Sequence, residues 1–223
     1  MRMYNIKQIL VIGLVLFFVS CIENSTIKKT SRVAELPFYK EATFMPHWLD
    51  ANSEEADIIH RIPKFNLVNQ LGEEVTEETF KDKIYIADFF FTTCPGICPK
   101  MTANMKVLQE AFLEDNDVLL LSHSVTPETD SIPILKRYAE NKGVIDSKWH
   151  LVTGDRKQIY DLGRQAYFAE EDLGVYKTED DFLHTENFVL IDNNRHIRGI
   201  YNGLNKMSVQ QLIADVKTLQ LED

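Results

Sequence analysis

Cysteine is scarce in this chain, with three in 223 residues, so any thiol chemistry rests on very few positions. The sequence has no internal repeat and no low-complexity tract. No basic patch or stripe stands out against a formal net charge of −10 and a pI of about 5.1. That excludes nucleic acid as the expected partner, and the acidity reads as a soluble surface. The apolar run near the N-terminus, roughly residues 9–19, is shorter than the ~20 residues a membrane-spanning helix needs.

Hydrophobic residues make up 44% of the chain and charged residues 26%. That balance suits one globular domain with a core, plus an N-terminal addition. In that addition Arg2 and Lys7 precede the apolar run, as in a secretory signal peptide. The run closes on Phe18-Val19-Ser20-Cys21 before a polar stretch, ENSTIKKTS. A small residue before a cysteine at this point resembles a bacterial lipoprotein signal, in which the cysteine receives the lipid. The expectation is a signal over residues 1–20, lipid on Cys21, a polar tether over 21–35 and a folded domain over 36–223. An ordinary signal or membrane anchor that happens to contain a cysteine is the alternative. Cys94 and Cys98 are then left as a pair in an exported protein, where oxidation is available.

Within the domain, LPFYKEATF and IPKFNLVNQLG predict an N-terminal strand or hairpin. KIYIADFFF and DVLLLSHSV read as strands buried on both faces. WHLVT is a shorter strand, and NFVLIDNNRHIRGIY is two strands about an Asp192-Asn193-Asn194 turn. Helical segments alternate with these: CPKMTANMKVLQEAF, SIPILKRYAENKG with Gly143 as its stop, DRKQIYDLGRQAYF, and SVQQLIADVKTLQ. For the last, Ser208 and Gln211 predict a capping box, and Val209, Leu212, Ile213, Val216 and Leu219 a buried face. The alternation predicts an α/β fold, a central mixed sheet flanked by helices, with an N-terminal β-hairpin extension.

The chemistry centres on FFFTTCPGICPK. Cys94 ends the first buried strand and Cys98 falls in the next helix or its first turn. A helix N-terminus favours thiolate over thiol, and Pro95 and Pro99 stiffen the loop and suit a helix start. Three readings stay open. A structural disulfide would close little chain entropy across so short a loop. A dithiol redox couple is usual with two intervening residues, whereas this pair has three. A soft metal site suited to Cu(I) needs further ligands. Met101 and Met105 share helical spacing with Cys98, but the better expectation for them is core packing.

FFFTTCPGICPKM resembles the Cys-Pro signature of the Sco/SenC family, thioredoxin-fold proteins that deliver copper to cytochrome c oxidase. IPKFNLVNQLGEEV, SVTPETDSIPILKRYAE, WHLVTGD and DFLHTENFVLIDNNRHI resemble, in order, further segments of that family. The resemblance implies a thioredoxin-like fold and a copper site of Cys94, Cys98 and His184, holding Cu(I), with Cu(II) taking an added ligand. It implies a metallochaperone rather than an enzyme, serving the oxidase subunit that carries the copper site. An upstream copper donor or a thioredoxin-like reductant would act on it, at a membrane facing the periplasm or cell exterior. The alternative is a thiol–disulfide oxidoreductase, with Cys94 attacking, Cys98 resolving and Asp88 accepting a proton. Thioredoxin carries a buried Asp at the offset of Asp88; the other expectation is that Asp88 points to an edge and bonds a backbone group. Two positions depart from the family pattern: Leu183 and Thr126 stand where acids are usual. Glu128 and Asp130 are expected as solvated surface residues, and His123 and His150 as surface or core packing.

Overall fold

The computed structural model describes residues 31–172, 174 and 181–222. The expected signal over 1–20, Cys21 and the first part of the tether lie outside the described residues. Among those described, no helix is long and apolar enough to cross a membrane.

A short helix α1 (Glu54–Ile58) precedes the hairpin β1 (Asn66–Asn69) and β2 (Glu74–Thr76) and a 3-10 turn (Glu77–Phe80). Then come β3 (Ile84–Phe90), α2 (Cys98–Ala111), β4 (Val118–Ser124), α3 (Ile132–Lys142) and β5 (Trp149–Thr153). Helix α4 (Arg156–Asp161) runs on into a π turn (Leu162–Ala166), followed by β6 (Asn187–Ile191), β7 (Ile197–Asn202) and α5 (Lys206–Leu219). The seven strands form one sheet in the order β2-β1-β5-β4-β3-β6-β7. β3, β4 and β5 are parallel, while the hairpin joins β5, and β6 joins β3, antiparallel. The expected mixed sheet with helices on it, and the hairpin extension, are therefore present.

Every residue of β3 and β4 is buried, as continuous apolar strands require when both faces are covered. Ile84, Ile86 and Phe90 face a core shared with α2, α3 and α5. Tyr85, Ala87 and Phe89 face the opposite core, filled by the hairpin, the 3-10 turn and the α4 region. The five apolar positions expected to bury α5 do so. Its cap, however, is Asn205, whose side chain accepts from the amides of Met207 and Ser208. An acceptor three residues upstream of Ser208 starts the helix earlier than the expected box, and Gln211 bonds Asp215 instead, at 2.7 Å. Gly143 does end α3, at a left-handed φ of 72°.

At the β7 edge the N-terminal segment is held by a buried cation. The Arg198 guanidinium donates to the carbonyls of Leu36 at 2.7 Å and Pro37 at 3.3 Å. It pairs with Asp192 at 3.3 Å and with Glu222, and lies 4.0 Å from the Phe38 ring centroid. Glu222 in turn accepts from the Leu36 amide at 2.6 Å. Removing the cation would leave two buried carboxylates without it. Arg198→Ala is therefore expected to lower stability by about 3–5 kcal/mol, measured by urea denaturation. A loss below about 1 kcal/mol, the range of exposed pairs, would show that the clasp does not hold the segment.

Candidate functional site

The buried strand β3 ends in an exposed loop that carries Cys94, and α2 begins at Cys98 with Pro99 in its first turn. No side chain caps this helix start, so its amides are available to a sulfur. Both cysteines are free thiols, Cys94 half-buried and Cys98 buried. Burial alone would raise the Cys94 thiol. The amides of Cys98, Gly96 and Ile97 and the Cys98 thiol converge on its sulfur, outweigh that effect and bring its pKa below the ordinary value. Burial pushes Cys98 up to about 12, reinforced by its bond to Cys94 and the nearby charge of Asp88. The pair is thus divided: an accessible sulfur that ionises easily and a buried one that keeps its proton.

Asp88 is not at an edge. It lies on β3 between β4 and β6, 2% exposed, on the face that also packs Cys98 and α2. The Ser122 hydroxyl donates to its carboxylate, and the Trp149 indole N–H donates to Ser122 Oγ at 2.8 Å. Burial raises its pKa to about 7, with the Ser122 bond pulling the other way. This places a carboxyl that titrates near neutrality within electrostatic reach of the buried thiol.

Asp130, expected at the surface, is fully buried. It accepts from the Thr92 amide at 3.1 Å and the Thr92 hydroxyl at 2.6 Å. The hydroxyls of Ser124 at 2.6 Å and Thr126 at 3.1 Å also donate to it. A carboxylate so supplied is stable inside the fold. It ties the loop two residues before Cys94 to the end of β4. Thr126, where the resemblance implied an acid, is one of its donors. The only sequence signal was position: an acid just ahead of a helix, among Thr and Ser residues.

His184 is exposed, on the segment entering β6. Its amide donates to Glu170 Oε1 at 3.3 Å. Leu183, where the resemblance implied an acid, is buried as a packing anchor in the α4-side core. Phe182 meets Phe91, at the base of the cysteine loop, edge-on at a centroid distance of 5.3 Å. The histidine segment and the cysteine loop therefore touch. Yet no three His, Cys, Asp or Glu among the described residues are close enough together to hold a metal ion. The two thiols are brought together and the imidazole stands outside them in this conformation. The donor types, two thiols with one sulfur prone to ionise and an accessible imidazole on an adjoining segment, are those that suit a soft cation.

The other candidates fall away from this centre. Met101 and Met105 are fully buried core residues, as expected. His123 is buried and stacked on Phe89 at 4.7 Å, and burial lowers its pKa to about 4. A surface cleft of about 590 Å³ lined by His60, Lys64, Gln158 and Gln165 contains neither cysteine nor His184.

Residues 53–220 match the SCO1/SenC protein family. The crystal structure of a SCO1/SenC family lipoprotein from Bacillus anthracis is 32% identical, with a TM-score of 0.63, over 72% of this chain and 95% of that one. BsSco, a member of the Sco family of cytochrome c oxidase assembly proteins in which a disulfide switch was identified, is 30% identical at a TM-score of 0.61, over 72% and 93%. Arabidopsis thaliana ScoI, solved with copper bound, shares the fold at 24% identity and a TM-score of 0.55, over 71% and 98%. The architecture is the thioredoxin-like fold of these proteins.

Two measurements check the site's electrostatics. Alkylation of the reduced protein at neutral pH is expected to label Cys94 first, with Cys98 following only at strongly alkaline pH or on unfolding. Equal labelling rates would contradict the division of the pair. Asp88, with a pKa raised to about 7 in the fold, binds its proton more tightly folded than unfolded. Stability should therefore fall as pH rises from about 4 to 7. Across that window the wild type is expected to lose up to about 4 kcal/mol more than Asp88→Asn. Parallel stability curves for the two proteins would refute it.

Proposed function

The chain belongs to the SCO1/SenC family, and from that premise we propose that it carries copper on Cys94, Cys98 and His184. The cargo passes to the dinuclear copper centre of cytochrome c oxidase by exchange of thiolate ligands at the exposed loop. The observation that carries this reading is the divided cysteine pair beside an accessible imidazole. Cys94 offers an accessible sulfur that ionises easily, while Cys98 sits at the helix start and His184 enters from the segment that packs on Phe91. Soft thiolates with an imidazole suit Cu(I), and a further ligand would accommodate Cu(II). The copper bound by the Arabidopsis relative and the oxidase-assembly role of the Sco family named with BsSco support this reading.

A second reading has its own observation, the buried Asp88 near Cys98. As a thiol–disulfide oxidoreductase, Cys94 thiolate would attack a disulfide of the oxidase copper site and release one partner thiolate. Asp88 carboxylate would take the Cys98 proton, and Cys98 thiolate would then attack Cys94 sulfur. The partner leaves as a dithiol, and Cys94–Cys98 as a disulfide for an external thioredoxin-like dithiol to reduce. The same protein can do both, reducing the acceptor's cysteines and then metallating them.

We infer further that Cys21 bears the lipid and that the domain works outside the cytoplasmic membrane, facing the periplasm or cell exterior. The polar tether of residues 21–35 then links it to that membrane. Support comes from the sequence pattern around Cys21 and from the Bacillus anthracis lipoprotein relative.

A Cu(I) competition titration of the reduced protein tests the first reading. One copper per chain is expected, weakened at least about tenfold, or about 1.4 kcal/mol, in both Cys94→Ser and His184→Ala. Wild-type affinity in His184→Ala would remove the imidazole from the ligand set and leave the dithiol reading standing.

A further inference from the structure

The segment that carries His184 is gripped by the irregular end of the α4 region. Gly163 lies in the π turn. A Cβ there would sit 2.5 Å from Leu183 Cδ2 and 3.1 Å from the Phe89 ring. Only a glycine leaves the notch that Leu183 fills. One residue on, the Arg164 guanidinium donates to the Asp181 carbonyl and pairs with Glu170 Oε2 at 3.6 Å. Glu170 Oε1 accepts from the His184 amide itself. The Thr185 hydroxyl donates to the Ala169 carbonyl, and the Asn187 side-chain amide reaches the same oxygen at 3.0 Å. Four elements of the segment, Asp181 carbonyl, Leu183 side chain, His184 amide and Thr185 hydroxyl, are thus fixed from one short stretch, residues 163–170.

A π turn widens a helix by one residue and is over-represented at functional sites. Here the widening has an identifiable use. It lets Gly163 lie against Leu183 while Arg164 reaches the Asp181 carbonyl, and the chain then returns with Ala169 and Glu170 as acceptors. Ordering a loose backbone on ligand capture costs about 1–2 kcal/mol per residue, and a segment held beforehand avoids much of that cost. The imidazole is left exposed while its backbone is held.

We propose that Gly163, Arg164 and Glu170 are positioning residues that hold the His184 backbone for metal capture. This rests on His184 being a copper ligand. The cradle acts through His184 and leaves the thiols alone, which separates it from a general structural role.

The experiment combines amide hydrogen exchange at His184 in the metal-free protein with Cu(I) competition, on the wild type, Glu170→Ala, Gly163→Ala and His184→Ala. Glu170→Ala and Gly163→Ala are expected to speed exchange at His184 and weaken Cu(I) binding by roughly tenfold, the low end for partners that orient a ligand. The Cys94 alkylation rate should stay that of the wild type. Adding either change to His184→Ala should weaken binding no further. Glu170→Gln, which keeps an acceptor for the amide, should recover most of the affinity. Unchanged exchange and affinity in both Ala variants would overturn the cradle, as would an equal loss in the His184→Ala background or a gain in affinity. If His184→Ala alone binds like the wild type, the ligand assignment fails and the cradle's purpose fails with it, a result visible before the cradle variants are read.

Discussion

A strand whose two faces are fitted to different cores cannot slide, because a shift of one residue would send the side chains packed in one core into the other. β3 is such a strand, paired residue by residue with β4 from Ile84↔Val118 to Phe90↔Ser124. The site depends on that constraint. It sets where the chain leaves the sheet, and so where Cys94 emerges and where α2 can begin. It also decides that Asp88 faces the α2 side, in line with Cys98, rather than the aromatic core opposite. Asp130 extends the same rigidity past the end of the strand by binding Thr92 to Ser124 and Thr126.

Two buried acids beside the cysteines have different surroundings. Asp130 gathers four donors, which suit a full negative charge. Among the described residues the Ser122 hydroxyl is the one hydrogen bond opposing the burial of Asp88, so its proton is held to near neutral pH. One carboxyl is bound into the scaffold by its donors, and the other is poised to exchange a proton. The two cysteines divide similarly. Amides at the helix start converge on Cys94, while Cys98 is enclosed by α2 and the sheet. An accessible sulfur that ionises next to a protonated buried one serves thiol exchange and stepwise metal transfer equally well, which is why one fold can host both readings.

The histidine arrives by a different route. It does not come from a strand end, but from a segment pinned to the π turn and packed edge-on through Phe182 against Phe91. The thiol pair is built by local chain geometry, and the imidazole is delivered by long-range packing. The thiols are therefore assembled together while the imidazole stands apart from them.

The order of elements, the mixed sheet and the buried strands were legible in the sequence, since period and β-branched runs report burial directly. So were the cysteine spacing and the helix that follows, because both are local. The α5 cap was misplaced because Asn205 and Ser208 both satisfy the capping preference, and only the path of the chain leaving β7 selects the first. Asp88 was ambiguous, since an acid in an apolar strand has two faces or an edge to choose from, and strand order decides among them. Asp130 read as a surface acid because its four donors lie on β4, the turn after it and the loop before Cys94, brought together only by folding. Local composition thus determined the scaffold and the thiols. The ionisation of Asp88, the burial of Asp130 and the seating of His184 were decided by contacts between residues far apart in the chain, which no spacing rule contains.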